Sequence, residues 1–242
     1  MRTLTTPGAN RLSWERMGRS IQLVADPYPP YQFEEGGRIR GIDQETIQEA
    51  FRLRGIEAHT VLLPWKECLQ RMDQGKADGI FQIAPSADRR KVFLFSERLR
   101  TERTMLFARR GVTPLVGDNA EIGRLLAGRR LGVLDGYSYG PAIDDLEGSA
   151  KLSFGSQEEL LLALMDGNVN LALMDAGVAF YLAGKMGFEG IEQVEGYTTE
   201  RPLHVAFQKR HRGLAGLFNK GLQDVKAQAM DRRIFESYGV RF

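Results

Sequence analysis

The chain has 242 residues, 43% of them hydrophobic and 26% charged, and Lys plus Arg exceed Asp plus Glu by only 33 to 31. That length suits one large α/β domain or two modest lobes, and the composition is that of a packed globular chain, which excludes disorder. The basic residues are spread along the sequence, so nucleic acid is not implied as a partner. No run approaches the ~18 to 20 apolar residues of a membrane span, and Cys68, the only cysteine, excludes an internal disulfide.

Residues 1–20 lack the apolar stretch of a secretory signal and take no predicted element. From Ile21 the run Ile21-Gln22-Leu23-Val24-Ala25 predicts a strand, stopped by Asp26-Pro27-Tyr28-Pro29-Pro30, where prolines block ladder pairing. Glu34-Glu35-Gly36-Gly37 reads as a hairpin turn. Asp43 is the expected N-cap of a helix that carries Ile47, Ala50 and Phe51 and stops at Gly55. Val61 to Leu63 is a second strand. Trp65, Leu69 and Met72 then recur at helical spacing until Gly75, with Cys68 expected as core filling, and Asp78 to Ile83 is a third strand. This strand-helix alternation builds a mainly parallel sheet, whose ligand sites lie in loops at strand C-termini.

A second cycle opens near Ala120 with a helix through Leu126, followed by the strand Leu131 to Leu134 and the turn Asp135 to Gly140. Ser156-Gln157-Glu158-Glu159 is a capping box for a helix through Met165. Gly167 ends that helix before the strand Val169 to Met174, and Asp175 is placed to cap another. Arg100 to Arg110 and Gly196 to Gln208 are extended stretches where the chain would cross between lobes, and two crossings imply a hinge. The tail from Leu214 to Ile234 is helical in pattern. The expected organisation is an N-terminal extension (1–20), a discontinuous lobe 1 (21–100 with 200–242) and lobe 2 (101–199). His59, His204 and His211 lack ligand spacing, so neither a metal nor another cofactor is expected.

Several segments in this order resemble the family 3 extracellular solute-binding proteins, the type II periplasmic receptors of polar amino-acid transport, over roughly Ile21 to Phe242. Asp26-Pro27-Tyr28-Pro29-Pro30-Tyr31 looks like the family's first-strand loop, and Gly41-Ile42-Asp43 like its helix start. Pro64-Trp65 with Gly75-Lys76-Ala77-Asp78-Gly79 is similar to its next segment, and Ser86-Ala87-Asp88-Arg89 with Phe95-Ser96 to its Thr-Pro-Glu-Arg and Phe-Ser pair. Gly136 to Gly140 resembles a second-lobe turn, and Asn170 to Asp175 its strand and ligand-binding aspartate. Ser86-Ala87 departs from the usual Thr-Pro, and Asn170 from the usual aspartate.

The resemblance implies an α/β, two-lobe type II fold, each lobe a mainly parallel sheet flanked by helices, joined by two hinge crossings. It implies a monomeric, extracytoplasmic receptor that captures a small polar solute, an α-amino acid by preference, in an interlobe cleft. Hinge closure then delivers the solute to the permease of an ABC-type transporter. Arg89 is the expected partner of the ligand carboxylate, since a guanidinium fork gives two parallel charge-assisted hydrogen bonds. Ser86 adds a hydroxyl, and Asp175 supplies the ammonium partner. Tyr28, Asp26 and Trp65 are expected along the wall, with Phe81 and Gln82 after the third strand, and Tyr137 and Ser138 in the second-lobe turn.

Plainer readings stand beside these. Asp175 is then an N-cap, Trp65 a core residue and Arg89-Arg90-Lys91 a solvated face. The turn Asp135 to Gly140 is only loosely like a phosphate loop, lacking the following Lys-Ser/Thr. A ligand-sensing module of a signalling system is the alternative use of the same module, and a cyclohexadienyl-dehydratase-like enzyme a further one, although no glutamate among Glu34, Glu97 and Glu102 is singled out as an acid.

Overall fold

The computed structural model describes residues 20–111, 126, 128–135, 137, 139–145 and 151–240. The chain divides into two units: unit 1 contains the chain up to Arg100 together with Leu203–Ile234, and unit 2 contains Thr101–Pro202 and the end of the chain from Phe235.

Unit 1 is built from β1 (Ser20–Ala25), the hairpin β2 (Phe33–Glu35) and β3 (Arg38–Arg40), α1 (Ile42–Arg52), β4 (Glu57–Leu62), α2 (Trp65–Asp73), β5 (Gly79–Ile83), α3 (Ala87–Val92) and the first part of β6 (Phe93–Arg109). The later return of the chain adds the end of β10 (Ile191–Gln208), a 3-10 turn at Lys209–His211, α7 (Arg212–Ala227) and most of α8 (Met230–Ser237). The sheet order is β4-β1-β5-β10, with β4, β1 and β5 parallel and β10 antiparallel to β5. The parallel core reflects the strand-helix alternation. β4 begins four residues before the apolar run Val61 to Leu63, because its first half alternates polar and apolar at the edge of the sheet.

One core cluster lies where α1 and α7 pack on the sheet. Phe51, Phe207 and Phe218 meet there, with ring centroids 5.0 to 6.2 Å apart and tilted to edge-on planes, beside Leu23, Ile47, Phe81, Leu222 and Val225. Aromatic pairs of this kind add about 0.5–1.5 kcal/mol each beyond the burial of their area. α1 and α7 approach so closely that a Cβ on Gly221 would stand 2.0 Å from the Ala50 carbonyl oxygen. On the other face of the sheet, Cys68 and Met72 of α2 pack with Val24, Ile80, Ile83 and Ala206. Cys68 is fully buried and donates to Leu63 O, and burial pushes its thiol up to about 11. It fills a core, as its helical spacing suggests.

The start of α1 differs from the sequence expectation. Its N-cap is Gly41, at φ 125°, and a Cβ there would lie 2.3 Å from Tyr31 O. Asp43 is instead a helical residue, fully buried, and both its oxygens lie 2.9 Å from Arg100 Nε. The Arg100 guanidinium carbon also sits 3.3 Å from the Tyr31 ring centroid. A buried carboxylate is held by a cation, not by a helix end, because burial makes an uncompensated charge too costly.

Unit 2 contains the rest of β6, β7 (Leu131–Leu134), α4 (Pro141–Asp144), β8 (Lys151–Phe154), α5 (Gln157–Met165), β9 (Leu171–Asp175), α6 (Ala176–Met186) and the start of β10. Its order is β6-β9-β7-β8, with β9, β7 and β8 parallel and β6 antiparallel to β9. Each unit is thus a mainly parallel sheet with one antiparallel strand. β6 and β10 run from one unit into the other, as the two extended stretches predicted.

The capping box forms in part: Ser156 Oγ accepts from Glu159 N at 3.2 Å, while Glu159 Oε2 accepts from Gly155 N at 3.1 Å instead of closing on Ser156. The core of unit 2 gathers Leu106, Leu131, Val133, Leu171 and Leu173 with Ile143 and Tyr139. The helix expected from Ala120 lies outside the described residues, except that Leu126 belongs to this core.

Candidate functional site

Because β4, β1 and β5 run parallel, their C-terminal ends share one edge of the unit 1 sheet, where ligand-binding loops collect in such folds. Asp26 and Tyr28 follow β1, Trp65 follows β4, and Ser86 and Arg89 follow β5. The structure therefore brings these five predicted residues to one edge.

Contacts with Ala84, Trp65 and Ser86 hold Arg89 there. Its Nη1 donates to Ala84 O at 2.8 Å, its guanidinium carbon lies 5.6 Å from the Trp65 ring centroid, and its backbone N–H donates to Ser86 Oγ at 3.2 Å. Ser86 is the N-cap of α3, so its hydroxyl oxygen already accepts one of the helix's first amides, and that amide is not left for another anion. Arg90, by contrast, is exposed and turned onto the Phe95 ring at 5.4 Å. The plain reading of Arg89-Arg90-Lys91 as a solvated face holds for Arg90 and for Lys91, which pairs with Asp88, but not for Arg89.

Trp65 combines its two sequence readings. It opens α2 after Pro64, packs partly against the Cys68 core cluster, and shows a face to Arg89. Tyr28 is 7% exposed and stacks on Tyr31 with centroids 5.9 Å apart and planes 12° from parallel. The loop that carries them is tied by Tyr28 N–H to Gln32 O, Tyr31 N–H to Tyr28 O, and Gln32 Nε2 to Asp26 O. Asp26 is half-buried, and its charge is a second influence that raises the Cys68 thiol.

Two predicted residues sit differently from expectation. Phe81 and Gln82 lie within β5, not after it. β5 is flanked by β1 and β10 and covered on both faces, so Phe81 is wholly buried in the core. Gln82 holds φ 58°, a left-handed conformation that costs a non-glycine residue about 1–2 kcal/mol. Its Oε1 is buried without a hydrogen-bond donor among the described residues.

In unit 2, Asp175 ends β9 opposite Thr104 and is 3% exposed. Its Oδ1 accepts from Val178 N at 3.0 Å, so it caps α6 as the plainer reading required. Tyr137 is 47% exposed and lies against Tyr139, centroids 6.4 Å apart. Ser138 lies outside the described residues. The turn they belong to is more occupied than its sequence suggested: the Asp144 carboxylate accepts from Tyr139 N at 2.9 Å and Gly140 N at 3.1 Å. Tyr139 OH accepts from Leu134 N at 3.0 Å, and Tyr197 OH donates to Tyr139 O. Burial pushes the Tyr139 phenol up to about 12, so it stays a neutral structural group.

Sequence reasoning missed Ala84, whose carbonyl anchors Arg89, and Asp144, which holds the turn. Ala84 offers no side-chain signal. Asp144, four residues after Gly140 and three after Pro141, carried one that was overlooked.

The family model of the bacterial extracellular solute-binding proteins, family 3, matches residues 21–240. Among solved structures, substrate-binding domain 2 of GlnP from Lactococcus lactis is 17% identical with a TM-score of 0.75, covering 92% of this chain and 96% of that one. An ancestral cationic amino acid solute-binding protein is 18% identical, with a TM-score of 0.77 and coverage of 91% and 95%. A histidine kinase sensor domain with similarity to periplasmic binding proteins is 20% identical, with a TM-score of 0.70 and coverage of 91% and 96%. At these identities the likeness is one of fold. No curated protein matches the chain.

Proposed function

This chain belongs to family 3 of the bacterial extracellular solute-binding proteins, and on that premise we propose that it is a receptor for an α-amino acid, working outside the cytoplasm for an ABC-type permease. Its fold is that of the type II periplasmic binding proteins. Solute binding is the role of the family; the amino acid, the permease and the compartment are our reading.

The observation that carries this reading is the Arg89 anchor. A cation pinned by the Ala84 carbonyl and the Trp65 face has few rotamers left to freeze when a carboxylate arrives, so less of the binding energy is spent on ordering it. The Ser86 hydroxyl sits one helical turn away. Asp175 is the proposed ammonium partner in addition to its capping bond to Val178 N. Tyr28, Asp26, Trp65 and Gln82 are proposed along the solute's side chain, and Tyr137 and Ser138 from unit 2. Phe81 backs the wall from the core. No reaction on the solute is proposed, and a recovered ligand should be chemically unaltered.

Thermal shift against the common amino acids and related organic acids tests this. A ligand at about 100 times its Kd stabilises by about 2.7 kcal/mol, or roughly 5–10 °C for a chain of this length. Arg89→Ala should abolish the shift. Asp175→Asn should keep the α6 cap, and so the unliganded melting temperature, while losing most of the response. An undiminished shift in Arg89→Ala overturns the anchor assignment.

A sensor role is the second reading, since a histidine kinase sensor domain shares this fold. The solute site would be the same, and the partner that responds would differ.

A further inference from the structure

At the other end of the unit 1 sheet, where β5 begins and β10 ends, two chain segments are stitched together and carry five cations. Gln208 N donates to Asp78 O at 3.2 Å and Gln208 Nε2 to Ala77 O at 3.3 Å, Arg210 Nη2 donates to Gly75 O at 3.1 Å, and Lys76 N donates to Arg71 O at 2.8 Å. These bonds hold Arg71, Lys76, Lys209, Arg210 and Arg212 in one neighbourhood. Lys76, Lys209, Arg210 and Arg212 are exposed, and Arg71 is half-buried.

Their surroundings compensate this charge only in part. Arg40, Arg52, Arg54 and Arg103 elsewhere each face an acid, whereas none of the five forms an ion pair among the described residues. Of the two acids in residues 71–78, Asp78 is engaged: its Oδ2 accepts from Gln22 N at 2.9 Å and its Oδ1 lies 3.1 Å from His211 Nε2. Asp73 is the one exposed acid in these segments. Helix electrostatics do not favour this arrangement, because the run Lys209 to Arg212 leads into the positive end of the 16-residue α7, which has no acid in its first turn.

We propose that this patch docks the protein on an anionic phospholipid surface. A protein partner would call for buried aromatic or aliphatic anchors at the centre of the contact. The exposed large hydrophobic residues among those described are Val92, Tyr137, Leu152, Leu162 and Phe180, and none lies in these segments. A patch of cations without apolar anchors fits a dense array of phosphate headgroups, where attraction is electrostatic and tolerant of register. The length of β5 separates the patch from the Arg89 edge by roughly 15 Å, so a docked molecule keeps its solute site open. This inference does not depend on which solute is bound.

Co-sedimentation with vesicles tests it. The protein should bind vesicles containing roughly 30% phosphatidylglycerol in phosphatidylcholine at about 50 mM salt, release at about 300 mM, and ignore pure phosphatidylcholine. The triple variant Lys76→Glu, Lys209→Glu, Arg212→Glu should lose about a hundredfold in affinity for the anionic vesicles. It should also keep the wild-type melting temperature and amino-acid response, which separates loss of docking from misfolding. Equal binding to neutral vesicles, binding unchanged in the variant, or no binding at low salt each overturns the proposal, and in the last case an acidic protein becomes the partner to seek.

Discussion

Gly221→Ala should destabilise unit 1, although alanine is the better helix former by about 1 kcal/mol. The new Cβ would stand 2.0 Å from Ala50 O and 2.7 Å from the carbonyl carbon. Ordinary contact needs more than 3 Å, and a backbone carbonyl inside α1 cannot rotate away as a side chain would, so the two helices must part by roughly 1 Å. A gap of about 0.5–1 Å forfeits a quarter to a half of each contact's attraction. The shared interface buries Ile47, Phe51, Phe218, Leu222 and Val225, each worth about 1.5–3 kcal/mol. Losing a quarter of that is roughly 2–4 kcal/mol. After the propensity gain, the net loss is about 1–3 kcal/mol, a melting temperature lower by roughly 2–12 °C. Gly216→Ala on the same helix is the control: it is exposed with nothing within 4 Å of the added Cβ, and it should raise the melting temperature by about 2–4 °C. Differential scanning fluorimetry on both variants decides it. If Gly221→Ala also melts higher than wild type, the close approach of α1 and α7 is not as described.

Asp43→Ala should cost about 3–5 kcal/mol in urea unfolding, because it strands a buried guanidinium, while the double change Asp43→Leu with Arg100→Met should recover much of that loss. His211 yields a pH dependence whose sign follows from its surroundings. Burial lowers its pKa and neighbouring Arg210 adds to that, outweighing the Asp78 carboxylate at 3.1 Å, which alone would raise it. The unfolded chain therefore takes up the proton first. The stability contribution is complete above about pH 6.5, falls as pH drops through that value, and levels off below the folded pKa. Melting curves from pH 8 to 5 should show this fall, and His211→Gln should flatten it. Cys68, buried and with its thiol pushed up to about 11, should resist thiol reagents at neutral pH until urea opens unit 1. Rapid labelling of the native protein would refute its placement.

Much of the architecture was legible in the sequence because it rests on local periodicity. The strands at Ile21 and Leu131, the helical face Ile47-Ala50-Phe51 and the Ser156 and Asp175 caps are patterns a few residues long. Pairings between distant positions were not legible. Nothing near Asp43 announces an arginine 57 positions later, so a carboxylate at a helix start was read as a cap. Phe81 was read as a site residue because a short apolar run does not show which of its residues are covered, and only the neighbouring strands β1 and β10 decide that it is enclosed. At the site, residue types were legible and several local commitments were not: Ser86 and the amides of Tyr139 and Gly140 carry structural bonds that no motif displays.

Unit 1 is assembled from the two ends of the described chain, and this bears on how the protein is made. When residues up to Arg100 have left the ribosome, β5 has β1 on one side but lacks β10 on the other, and α1 lacks the helix whose Gly221 admits its backbone. Those pieces come only after Leu203. The elements of Thr101–Pro202 are complete by then, with a core of their own. The side of β5 that β10 covers and the face of α1 that α7 covers must therefore be sheltered for the time it takes to translate about a hundred residues, some 5 to 20 seconds at ordinary rates.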